Sequence, residues 1–283
     1  PLVQAFAISN TEVGAMMSYY SLTKTILYIP AGVLVDRFDN RKMLVFSLVM
    51  LAVLTFVYAM IPSMTIVYIL YMLMAISNVI FWTAFVKAVR MFGSAKEQGS
   101  VFGYSEGIRA AASLIINFIA LAMYAKLEVT SDVPLRGVLL LYGGIYLLMG
   151  IAIWFLIPSG TGNEEGHHAT FKDYLNVLKV PAVWIVSVLV MCCYSVQVAS
   201  EYTTPYLNNV MLMSAATAGV VATIRSYGVG LFAAPIIGKI TDKVKLPYSV
   251  SVMILLGLEI VMTLILLIMP GDPSVIVVCI IAI

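Results

Sequence analysis

The chain has 283 residues, of which 62% are hydrophobic and only 11% charged, with a formal net charge of +2. A soluble domain carries about a quarter charged residues, so a water-soluble fold is excluded and an integral membrane protein is expected. Cys192, Cys193 and Cys279 lie in apolar runs and make neither a disulfide framework nor a metal-ligand spacing; no metal, no cofactor and no nucleic-acid partner is expected.

In chain order, stretches apolar enough to cross about 30 Å of hydrocarbon fall near 13–35, 43–61, 65–89, 100–125, 137–157, 181–206, 214–237 and 248–269, and a ninth starts near 274. Residues 1–9 read as the outer end of a preceding helix. None of these runs alternates as barrel strands do, so each is read as a helix that satisfies its own backbone in lipid. The chain starts without Met and stops inside an apolar run, so it is expected to be part of a longer protein.

The connections are short and use turn chemistry, as at Ile61-Pro62-Ser63 and Pro270-Gly271-Asp272-Pro273. The long exception is Pro158 to Val180. Its first half is Gly-rich and polar and contains His167 and His168, read as solvated loop. Its second half places Phe171, Tyr174, Leu175 and Leu178 on one helical face, which suits a short helix lying on the membrane surface. Loop cations set the orientation. Arg37, Arg41, Lys42, Lys87, Arg90, Lys96, Lys172, Lys179, Lys239, Lys243 and Lys245 fall on one side, Lys126 and Arg136 on the other. The loop with Arg37 and the long loop are therefore expected in the cytoplasm.

Two helix ends look alike. GVLVDRFDNRK (Gly32 to Lys42) and GKITDKVK (Gly238 to Lys245) each follow an apolar run. At an offset of 205, Gly14 meets Gly219, Ser21 meets Ser226 and Pro30 meets Pro235; one extra residue then brings Gly32 onto Gly238 and Asp36 onto Asp242. Both copies end inward-running helices, so the repeat is parallel. Glycine lets a neighbouring helix approach closely. The aspartate can accept from Arg41 or from a neighbouring helix N-terminus. Such a latch, built from Gly32, Asp36, Arg37, Arg41, Gly238 and Asp242, would favour one conformation over another; the alternative is that the cations only enforce topology.

GVLVDRFDNRK resembles the loop 2–3 signature of the major facilitator superfamily, roughly G-x-L-x-D-R-x-G-R-(R/K), through Gly32, Leu34, Asp36, Arg37, Arg41 and Lys42. GKITDKVK resembles its degraded second copy, and Phe171 to Trp184 looks like the approach to the family's seventh helix. The resemblance covers the whole chain. It implies an all-α membrane protein of two parallel, pseudo-symmetric bundles. Residues 1–157 would hold the end of helix one and helices two to six, 158–180 a cytoplasmic linker, and 181–283 helices seven to nine and the start of ten. Asp39 and Asn40 depart from the signature. The apolar run at 65–89 lacks the family's intramembrane Arg. The run at 100–125 lacks the Gly-Pro pattern of drug–proton antiporters and the glycine-rich pattern of nitrate porters, which argues against those subfamilies.

Ionised groups inside membrane helices cost roughly 2.5–3.5 kcal/mol on insertion scales and mark function by default. Lys24, Glu106, Arg109, Glu201, Arg225 and Glu259 are such groups. In the resembled family, helices one, four, seven and ten line a central cavity, and two, five, eight and eleven flank it. All but Glu259 fall on those helices. Their excess of one positive charge points to a small anionic or acid-bearing solute. Lys24, Tyr20, Asn78, Trp82, Arg109, Tyr194, Gln197 and Arg225 are the candidate solute-binding residues. Glu201 and Glu106 are the proton-coupling candidates. The alternatives are local pairing of Glu106 with Arg109 and of Glu201 with Arg225, ordinary packing for Trp82 and Tyr194, and a structural role for Glu259. Pro205 is read as a break near the outer end of its helix, and Lys87 and Arg90 as interfacial anchors.

The function expected is a secondary active transporter, symporter or antiporter, working by alternating access as a monomer in the bacterial inner membrane. Its partners would be a small-molecule solute, the lipid bilayer and, if coupled, protons. A transporter-like sensor that binds without moving its solute is the alternative. No H-E-x-x-H or G-x-S-x-G supports an enzyme.

Overall fold

The computed structural model describes residues 6, 9–94, 96–126, 133–158, 176–201 and 215–244, with single positions 250, 253, 257, 260, 261 and 264. Its helices are α1 (Asn10–Arg37), α2 (Asn40–Ala59), α3 (Met64–Arg90), α4 (Gln98–Lys126), α5 (Val133–Leu156), α6 (Pro181–Glu201), α7 (Ala215–Thr223) and α8 (Val229–Val244). A π-helical turn, Ile224–Gly228, joins α7 to α8. No strand occurs among the described residues. Among the described residues, the first seven expected spans are therefore helical over most of their length. Pro205, Glu259, His167, His168, Phe171, Tyr174, Leu175 and the span from 274 lie outside the described residues, as does most of the span at 248–269.

Five helical runs are long and apolar enough to cross a membrane: Asn40–Ala59, Met64–Arg90, Gln98–Met123, Leu135–Leu156 and Gly219–Lys243. Helix α1 is as long, at 28 residues and about 42 Å, but less apolar. Lys24 sits near its middle among Ser18, Tyr19, Tyr20, Ser21, Thr23, Thr25 and Tyr28. Three of its hydroxyls are satisfied locally: Ser18, Thr23 and Thr25 donate to the carbonyls of Gly14, Tyr19 and Ser21 at 2.9, 2.7 and 2.9 Å. Such a helix is suited to a polar interior rather than to lipid on all sides.

The chain divides into two compact units, residues 1–91 with 120–176, and residues 92–119 with 177–283. In the first unit α2 packs on α5 and α3, and α1 packs on α3. One core cluster gathers Met16, Leu54, Tyr58, Val67 and Leu70; another gathers Ala31, Val35, Leu44, Val79, Ile80 and Ala84. Gly143 and Gly150 let α5 approach α2: a Cβ at Gly143 would sit 2.6 Å from Phe56 Cε1, and one at Gly150 3.5 Å from Val49 Cγ2. Buried Ser47, Thr55 and Ser77 donate to the carbonyls of Leu44, Leu51 and Leu73. Ile26, Val53, Leu148, Phe155 and Leu156 face outward, as lipid-facing positions do.

The helix ends carry polar caps. Ser9 and Glu12 form a capping box at α1: the Glu12 N–H donates to Ser9 Oγ at 3.2 Å and the Ser9 N–H to Glu12 Oε2 at 2.8 Å. Asp39 caps α2, accepting from the Lys42 N–H at 3.3 Å. The α2–α3 turn passes through Ile61 at φ 52°, and the α3–α4 turn through Gly93 at φ 86°.

In the second unit α4 and α8 run antiparallel in close contact. Gly99, Gly103 and Gly107 recur every fourth residue on α4, and Gly230, Ala234 and Gly238 do so on α8. A Cβ at Gly103 would meet the Ala234 backbone, and one at Gly107 would lie 2.7 Å from Pro235 Cγ. Gly238 faces the Gly99 backbone, and Gly230 faces Ala110. The match of small residues on both helices is what permits the approach. At the start of α6 the Trp184 indole donates to the Leu178 carbonyl at 2.7 Å, fastening the preceding turn.

Candidate solute site and latch

The first cluster lies in the first unit, around the middle of α1. The Lys24 ammonium rests 5.2 Å from the centre of the Tyr20 ring, a cation–π contact. Lys24 is half-buried and forms no ion pair among the described residues. Tyr20 meets Tyr71 of α3 edge to face at 6.3 Å, and Tyr71 meets Tyr58 of α2 the same way at 5.8 Å. The phenol oxygens of Tyr58 and Tyr71 are 3.5 Å apart. Tyr146 of α5 is an electrostatic neighbour of Tyr20. Such an ammonium attracts an anion, because no carboxylate among the described residues pairs with it.

The other candidates are placed differently. Trp82 stacks on Phe85 at 5.5 Å, and Phe85 stacks on Phe81 beside the second core cluster, so Trp82 is built into packing. Asn78 is half-buried on α3, and Tyr194 is exposed on α6. Arg109 and Glu106 pair one turn apart on α4, with Arg109 Nε 2.8 Å from Glu106 Oε2, the local pairing left open by the sequence. Arg225 is half-buried in the π-helical turn. Glu201 and Gln197 lie on α6, and their side chains lie outside the described residues.

The second feature is the pair of aspartates. Asp242, at the end of α8, accepts from the Gly99 N–H at 3.0 Å and the Ser100 N–H at 2.6 Å. These are orphan donors of the first turn of α4, so the carboxylate meets the positive end of that helix. Asp36 does otherwise: it pairs with Lys87 of α3 at 3.4 Å, and the same ammonium donates to the Val35 carbonyl at 3.3 Å. Lys87 is thus more than an interfacial anchor. Arg41 has partners elsewhere. Its guanidinium lies 4.4 Å from the Trp154 ring and donates to the Ile157 carbonyl at 3.2 Å. Gly32 is half-buried and Arg37 exposed at the same helix end, and Gly238 is buried beneath α4.

Sequence reasoning read Lys87 only as an anchor and passed over Tyr71, Tyr146 and the glycine repeat of α4. Only the last had a plain signal, G-x-x-x-G-x-x-x-G from Gly99 to Gly107. Tyr20, Tyr58, Tyr71 and Tyr146 come from four different helices and share no sequence pattern.

Helices of this length and apolarity, lipid-like exteriors and polar groups turned into a unit define a multi-pass α-helical membrane protein. The Major Facilitator Superfamily sequence model matches residues 1–283, and the chain belongs to that family. It is 26% identical over 267 residues to the inner membrane protein YqcE of Escherichia coli, covering 91% of this chain and 63% of that protein. It is 23% identical over 251 residues to the inner membrane protein YihN of the same organism, covering 86% of this chain and 59% of that protein. The chain thus spans about three fifths of the length of these relatives.

Proposed function

We propose that the protein is a secondary active transporter of the bacterial inner membrane that moves a small, polar, anionic organic solute by alternating access. Family membership and relatives named as inner membrane proteins support the class and the location. The observation that carries the solute's charge is Lys24: a mid-helix ammonium with no carboxylate partner among the described residues. The pairing of Arg109 with Glu106 removes one cation and one anion from the balance, and Lys24 is the cation on which the reading rests. Glu106, held by Arg109, serves as a counter-ion, and Glu201 is the proton-coupling candidate. The division into bundles 1–157 and 181–283 around the linker 158–180 belongs to this reading, as does the cytoplasmic side of the loops rich in Lys and Arg.

Full-length protein in proteoliposomes tests the reading. Uptake of an anionic solute should exceed that of its neutral analogue, and Lys24→Gln should remove the preference. Equal uptake of both, unchanged by Lys24→Gln, refutes the anion assignment. Binding without uptake would make the protein a sensor. Uptake indifferent to an imposed pH gradient would remove Glu201 from the mechanism.

A further inference from the structure

The tyrosines around Lys24 narrow the solute further, and this step rests on the anion reading above. The Tyr20 ring is engaged twice: Lys24 lies over it, and Tyr71 meets it edge to face. Tyr71 is also engaged by Tyr58, ring to ring and oxygen to oxygen. The ring surfaces of Tyr20, Tyr58 and Tyr71 are therefore used within the unit. What remains are hydroxyl groups. Tyr20 and Tyr146 are half-buried, and neither phenol oxygen has a hydrogen-bond partner among the described residues. Each phenol can donate one hydrogen bond and accept others.

We propose that Lys24, with the free phenols of Tyr20 and Tyr146, forms a subsite for a polyhydroxylated monoanion, a sugar acid, and selects against an apolar carboxylate of the same size. One ammonium without a counter-ion among the described residues matches one negative charge. Two phenols unpartnered among the described residues match hydroxyl groups on the solute. The selectivity is asymmetric: a site built to hydrogen-bond rejects an analogue lacking the hydroxyls, because its own polar groups are left dry and unpaired. Tyr71 acts as a positioning residue, since it touches Tyr20 and Tyr58 and holds the Tyr20 ring under Lys24.

Binding to purified full-length protein, with glucuronate, cyclohexanecarboxylate and glucose as probes, tests this. The three share a six-membered ring. The second lacks the hydroxyls, and the third lacks the charge. Glucuronate should bind most tightly. Tyr20→Phe and Tyr146→Phe should each narrow its advantage over cyclohexanecarboxylate by about 5-fold, the worth of one ordinary hydrogen bond. Lys24→Gln should narrow its advantage over glucose instead. Equal binding of the two carboxylates, or no binding of glucuronate, overturns the sugar-acid assignment. So does a Tyr→Phe change that lowers the ligand-free melting temperature but leaves the ratio intact, because the phenols would then be structural. Equal binding of glucuronate and glucose, insensitive to Lys24→Gln, is a different failure: it overturns the anion reading on which the assignment rests.

Discussion

Asp242 and Ser100, 142 positions apart in sequence, meet through a 2.6 Å hydrogen bond from the Ser100 N–H to a carboxylate oxygen. The other oxygen takes the Gly99 N–H at 3.0 Å. One side chain at the end of α8 thereby satisfies two of the four donors that the start of α4 leaves open. The same contact requires Gly99 and Gly238, because a Cβ on either would strike the opposing backbone or Asp242 itself. Cap and glycine are one device: the small residues bring the helices together, and the carboxylate uses that proximity.

Asp242→Asn keeps one acceptor and loses the charge that suits a helix N-terminus; Asp242→Ala loses both. Melting of the purified protein should rank wild type above Asp242→Asn and Asp242→Ala lowest. Equal melting temperatures for all three would show that the cap contributes nothing to the folded unit.

Neighbouring glycines of α5 should respond in opposite ways to alanine. A Cβ at Gly143 would lie 2.6 Å from Phe56 Cε1, whereas one at Gly144 meets nothing within 4 Å. Gly144→Ala should stabilise by about 0.5–1 kcal/mol through helix propensity. Gly143→Ala should destabilise unless Phe56 turns away, by about 1–3 kcal/mol if the α2–α5 contact is forced apart. Gly238→Ala has less room to adapt, because its obstacle is backbone. Denaturant unfolding of the three variants gives the order directly.

Ile61 occupies the left-handed region at φ 52°, where a β-branched side chain is strained by roughly 1–2 kcal/mol. The turn between α2 and α3 is too short to avoid it, because Ile61 donates to the Tyr58 carbonyl at 3.0 Å and Pro62 follows at once. Ile61→Gly should therefore raise the melting temperature despite the loss of a large apolar side chain. A lowered melting temperature would mean that the Ile61 side chain contributes more by packing than its backbone loses.

Much of the fold was legible because membrane helices are written in composition. The seven runs from 13 to 237 became helices, and the two inner-end aspartates stood out as charges at the limits of apolar runs. Their partners were not legible. Whether Asp36 meets Arg41, Lys87 or a helix N-terminus depends on rotation about α1, which the weak amphipathicity of a membrane helix does not fix. The Lys24 cluster was half legible: Tyr20 and Lys24 share a helical face, while Tyr71 and Tyr146 arrive by packing.

Glu97 links the loop before α4 to pH. Its carboxylate accepts from the Ser94 hydroxyl at 2.7 Å and the Ser94 N–H at 3.0 Å, and these bonds hold its pKa below the ordinary value of 4.5, against the opposing field of Asp242. A carboxylate whose folded pKa is depressed adds stability above its unfolded pKa and loses it as pH falls through the folded value. The melting-temperature gap between wild type and Glu97→Gln should be constant from neutral pH down to about 4.5 and close below it. A gap independent of pH would assign the effect to shape rather than charge.

The Lys87–Asp36 pair tests whether the first aspartate is held as firmly as the second. Its side chains are 22% and 42% exposed, so solvent screens the attraction, and a coupling of about 0.2–1 kcal/mol is expected from a double-mutant cycle of Lys87→Met and Asp36→Asn. The cycle should not account for the whole cost of Lys87→Met. Lys87 also donates to the Val35 carbonyl, a bond that Asp36→Asn leaves in place, so Lys87→Met should remain destabilising in the Asp36→Asn background. If it were neutral there, the ammonium would serve Asp36 alone. If coupling exceeded about 2 kcal/mol, the pair would be better shielded than its exposure indicates, and Asp36 would be fixed to its own unit rather than available to a second partner.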